Sequence, residues 1–78
     1  MDYKAFFTDV VDWISQANQA AARYGMENLD FWKWVADSCG TICLKYQDNR
    51  LVIKQMIMMT EWLEEVYNQR RSSRGNSN

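Results

Sequence analysis

The sequence predicts an all-α protein, a small three-helix bundle, and three observations carry that expectation. Proline is absent and glycine occurs only three times in 78 residues, so the chain has few positions that break a helix. Its apolar side chains recur at about 100° per residue over long stretches, the period of one helix face. At 47% apolar and 14% aromatic, it is too hydrophobic to stay disordered. A chain of this length makes one domain at most, with a thin margin of stability unless something staples or covers it. That domain is expected over residues 1–70, followed by a disordered polar tail, 71–78, of sequence RSSRGNSN.

The first helix is expected at about 3–24. Tyr3, Phe6, Phe7, Val10, Val11, Trp13, Ile14, Ala17, Ala21 and Tyr24 gather on one half of it, and Asp9, Asp12, Gln16, Gln19 and Arg23 take the other. Its whole apolar half reads as core. Asp2 can cap its start, and Gly25 is placed to end it in a left-handed conformation. The second helix is expected at about 29–46, with Asn28 as N-cap and Asp30 in the favourable first turn. Its stripe is Phe31, Trp32, Val35, Ala36, Cys39, Ile42, Cys43 and Tyr46, while Trp34 and Leu44 fall off it among charged residues.

The third helix, about 49–70, follows a break at 47–49, with Asp48 as its cap. A continuous helix from 29 to 70 would run about 60 Å and could not bury itself. Within LVIKQMIMMTEWLEEVY, residues 51–67, Val52, Met56, Met59, Leu63 and Val66 keep the four-three spacing of a packing seam. Ile53 and Tyr67 widen it on one side. Leu51, Met58 and Trp62 widen it on the other, and Ile57 lies farther round. The apolar arc spans roughly two-thirds of the circumference, wider than the stripe a surface helix buries. Either this helix is central and covered by both others, or part of it meets another chain. The leftover residues elsewhere favour the second reading. Trp and Met are also the side chains that interface cores favour.

Chemistry finds little foothold. Histidine is absent, so a nucleophile would need a lysine or carboxylate as its base, and no such constellation stands out. No glycine-rich phosphate loop is present. Cys39 and Cys43 stand four apart on one helix face, two ligands where a zinc site takes four. With Ala36 and Gly40 they read as small residues that let another helix approach. No cofactor or metal is expected.

The net charge is −1, which sets up no field for nucleic acid. Charge is unevenly spread, with four Lys/Arg against seven Asp/Glu in residues 1–48 and five against three in 49–78. Arg70, Arg71 and Arg74 could touch phosphates nonspecifically, the basis of an alternative role as a small nucleic-acid-associated regulator. A helix-turn-helix arrangement of the second and third helices lacks polar side chains to read base edges. Neither a signal peptide nor a membrane span is evident, so a cytoplasmic location is expected.

The expectation is therefore a non-enzymatic protein-interaction module, a homodimer that presents an apolar helix surface to a partner protein. An adaptor, an assembly factor or a small inhibitor of phage or mobile-element type would all fit. The residues expected at the contact are Trp34, Leu44, Leu51, Ile57, Met58 and Trp62.

Overall fold

The computed structural model describes residues 1–75, with side chains described through Arg71. Three helices follow in order, α1 (Tyr3–Tyr24), α2 (Leu29–Lys45) and α3 (Arg50–Gly75), with no strand among the described residues. The molecule measures 50 × 19 × 17 Å. That cross-section is about two helix diameters in each direction, as expected of three rods packed side by side. α2 packs closely against both α1 and α3, whereas α1 and α3 approach each other less closely. No described helix is long and apolar enough to cross a membrane.

Local chemistry explains the helix ends. The Asp2 carboxylate accepts from the Ala5 N–H at 3.0 Å, and the Asn28 side chain accepts from the Asp30 N–H at 2.9 Å. Each satisfies one of the donors that a helix start leaves unpaired. Gly25 ends α1 at φ 81° and ψ 140°, a positive φ like the one expected but with a more extended ψ than the left-handed helix. Its N–H returns to Ala21 O at 2.9 Å.

The break between α2 and α3 is a Schellman turn. The Asp48 N–H donates to Cys43 O at 2.8 Å and the Gln47 N–H to Leu44 O at 3.0 Å. Those are the 6→1 and 5→2 bonds of that motif. Gln47 and Asp48 both take positive φ, 58° and 56°, where glycine is the usual occupant. Two consecutive left-handed residues turn the chain sharply enough to stop a continuous helix. Tyr46 is the last α2 cap rather than a helical residue. Asp48 does not cap α3. Asn49 does, accepting from the Leu51 N–H at 2.9 Å, because Asp48 is committed to closing α2.

α3 continues to Gly75, past its expected end near residue 70. Residues 71–75 contain no proline or β-branched residue, so the first breaker is Gly75 itself. The expected disordered tail is thus helical as far as residue 75, and its remainder, 76–78, lies outside the described residues.

Phe6, Val10, Trp13, Ala17 and Ala20 of α1, Phe31 and Val35 of α2, and Val52, Met56, Met59 and Leu63 of α3 form the buried core. Met26, from the α1–α2 loop, joins them. The α3 seam is therefore where its spacing placed it, with Val66 half-buried at its end. Three expectations need correction. Tyr3, Phe7, Val11 and Tyr24 are exposed, so the core takes only one edge of α1's apolar half. Ala36 and Gly40 are exposed, and no heavy atom comes within 4 Å of a Cβ built on Gly40, so no helix approaches closely there. Trp34 is half-buried, with its ring stacked 5.6 Å from Trp13 and 6.3 Å from Phe31. It belongs to the internal packing. Indoles reach far from their Cα, so Trp34 leans back across the α1–α2 seam from a position off the stripe.

Candidate functional site

Helical phase and the interhelix contacts locate the exposed apolar residues. On α1, Asp9 bonds to Lys45 and Tyr46, and Trp13 Nε1 donates to Ser38 Oγ at 2.8 Å. Those residues mark the edge of α1 that faces α2. At about 100° per residue, Tyr3, Phe7 and Val11 fall on the opposite edge. On α3, Thr60 lies 3.6 Å from Cys39, and the Tyr67 ring packs edge-on to Trp32 at 5.9 Å. Those mark the α3 edge towards α2. Leu51, Met58 and Trp62 cluster within about 20° of one line on the other edge, roughly 110° from the buried seam.

Both free edges therefore border the seam between α1 and α3, where packing is loosest. Ala21 and Gly25 line the same depression as Tyr67 and Arg70, so the two helices run in the same direction. Counting back from there sets Leu51–Trp62 beside the first four turns of α1. One apolar face results. It is built from Tyr3 (61% exposed), Phe7 (46%), Val11 (66%), Leu51 (40%), Met58 (54%) and Trp62 (39%). At about 150–250 Å² for a fully exposed large side chain, these six present on the order of 600 Å². That is at the upper end of the largest apolar patch a monomer ordinarily carries.

The six residues expected at a partner contact thus divide. Leu51, Met58 and Trp62 share this face. Ile57 sits on the other flank of α3, in the cleft against α2 that Cys39, Gly40 and Cys43 also line. Leu44 is 72% exposed on the outer surface of α2, away from both. Trp34 is internal. The α1 contribution, Tyr3, Phe7 and Val11, was hidden in the sequence by an apolar half that looked uniformly core. The available signal was its width. Those residues lie on the margin of an arc broader than one seam can cover.

Several polar side chains hold the helices together. Asp9 Oδ2 accepts from Lys45 Nζ at 2.8 Å and from the Tyr46 hydroxyl at 2.5 Å, locking α1 to the end of α2. The Lys45 bond, then the Tyr46 bond, hold the Asp9 carboxyl below its usual range. Their shared partner pushes both Lys45 and Tyr46 up. Nothing in the sequence paired these residues, which are 36 and 37 positions apart.

Burial pushes the Cys39 thiol up, partly opposed by the Thr60 hydroxyl, and burial with Asp48 nearby does the same for Cys43. Among the described residues no group of three or more His, Cys, Asp or Glu could hold a metal ion. Arg70 Nη1 reaches Met26 Sδ at 3.3 Å, and Arg71 lies over the Tyr67 ring at 5.6 Å. The Arg74 side chain lies outside the described residues. No protein-family model, curated protein or solved structure matches the chain.

Proposed function

We propose that the chain is a non-enzymatic protein-interaction module that acts as a homodimer, docking through the apolar face that α1 and α3 share. The observation behind this reading is the convergence of six exposed large apolar residues on the one helix seam that is loosely packed. Scattered exposed apolar side chains are ordinary. A contiguous patch that includes Trp, Tyr, Phe and Met has the composition of an interface core. About 600 Å² per chain reaches the lower end of specific interfaces, which bury about 1,200–2,000 Å² in total. The simplest partner with a matching apolar surface is a second copy, since two-fold dimers are the commonest oligomers. A dimer of this kind leaves α2's outer surface uncovered, as an adaptor, assembly factor or small inhibitor would use it.

Sedimentation equilibrium tests the reading with Val11→Glu, Met58→Glu and Leu44→Glu. Each two-fold contact is lost twice in a dimer, so Val11→Glu and Met58→Glu are expected to weaken association by at least about tenfold. Helical circular dichroism should persist, because both positions are exposed. Leu44→Glu should leave the dimer intact. A wild-type protein that sediments as a monomer throughout, or face variants that associate like wild type, would overturn the assignment.

A further inference from the structure

We infer that the two copies pack with their α3 helices antiparallel, in a register set by a self-complementary charge pattern along the border of the apolar face. The inference rests on the homodimer reading and adds its geometry. The outer border of the α3 strip carries Arg50 and Lys54 on its first turns, then Glu61 and Glu65 two turns on. At about 100° per residue these four fall within roughly 30° of one line, about 70° round from Leu51, Met58 and Trp62, with Glu61 also at the rim of the α2–α3 cleft beside Ile57. All four are exposed, and the Lys45–Asp9 ion pair involves none of them.

The spacing is symmetric. Arg50 pairs with Glu65, and Lys54 with Glu61, about one common centre, the peptide bond between Ile57 and Met58. Two faces that meet must be related by an axis lying in the contact plane. If that axis runs across the helices, each α3 lies antiparallel on its copy. Every basic residue of the border then meets an acidic residue of the other chain, twice over. If the axis runs along the helices, α3 instead faces the copy's α1. Level with the glutamates the border there carries Ser15 and Gln19, so they find no cation, and Lys4 falls instead opposite Arg50. Exposed ion pairs contribute little strength individually, but opposed signs reject the wrong orientation. The apolar face supplies affinity, and the border chooses the register.

Charge reversal tests this on the full chain by sedimentation equilibrium at low and high salt. Arg50→Glu/Lys54→Glu should weaken the dimer by about tenfold or more at low salt, and Glu61→Lys/Glu65→Lys should do the same. The quadruple reversal should restore association to within about threefold of wild type. Mixing the two double variants should give a heterodimer tighter than either homodimer. At 1 M salt, where the screening length falls to about 3 Å, the differences should collapse. Double variants that dimerise like wild type, or a quadruple variant without rescue, overturn the antiparallel register. If Met58→Glu still dissociates that protein, the homodimer reading survives. A wild-type monomer overturns both.

Discussion

Asp9 ties the end of α2 to α1 through two donors, and its charge can be separated from its shape. Asn at this position keeps a carbonyl that can accept from Lys45 or Tyr46 but removes the ion pair. Because the folded-state carboxyl is held below its ordinary value, the stability it confers is fully present above the unfolded value of about 3.9. It is lost as pH falls through the lower folded value. Asp9→Asn should therefore unfold at a lower temperature than wild type at pH 7, and the gap should close as pH is taken towards 2. Thermal denaturation at several pH values reads this directly. A gap that stays constant down to pH 2 would mean the bond acts by geometry alone.

The helix connections show which local features the sequence makes visible. Asp2, Gly25 and Asn28 could be assigned from sequence because capping depends on the few residues beside it. The switch from Asp48 to Asn49 could not, because the Schellman turn first draws on contacts back to Cys43 and Leu44. The α3 core seam was legible for the same reason as the caps, since spacing within one helix is local. Which margin of a broad apolar arc becomes core is a different matter, because it depends on where a second and third helix lie. Phe7 and Val11 were misplaced for that reason, and Trp34 was missed because its ring reaches across to Trp13.

Three substitutions measure these backbone effects. Gln47→Gly should stabilise the fold by about 0.5–1 kcal/mol, since a non-glycine residue at positive φ costs about 1–2 kcal/mol and glycine gives part of that back in unfolded-state entropy. Gly25→Ala should destabilise by about 1–3 kcal/mol through backbone strain alone, because a Cβ there meets no atom within 4 Å. Gly40→Ala, in a helix interior with equally open space, should stabilise by about 0.5–1 kcal/mol. Urea titration orders the three. A stabilising Gly25→Ala would show that the turn relaxes out of its positive φ.

At the scale of the molecule, the proposed homodimer would link folding to association. A domain of this size has a narrow margin, and leaving a Trp and a Met half-exposed forgoes part of the burial that could widen it. Covering that face in a dimer adds apolar burial to the folded state alone, so mass action should raise stability with protein concentration. The wild-type melting temperature is then expected to climb over a hundredfold increase in concentration. For a domain of 60–100 residues, about 1 kcal/mol corresponds to about 4–8 °C, so a rise of several degrees is the expected scale. Met58→Glu should flatten that dependence, its melting temperature resting near the dilute wild-type value, because it removes the second chain without touching the buried seam. Leu44→Glu, on the outer surface of α2, should keep the wild-type slope. Differential scanning calorimetry at matched concentrations separates these outcomes. A concentration-independent wild-type transition would mean that the α1–α3 face adds nothing to folding and stays open to solvent across that range.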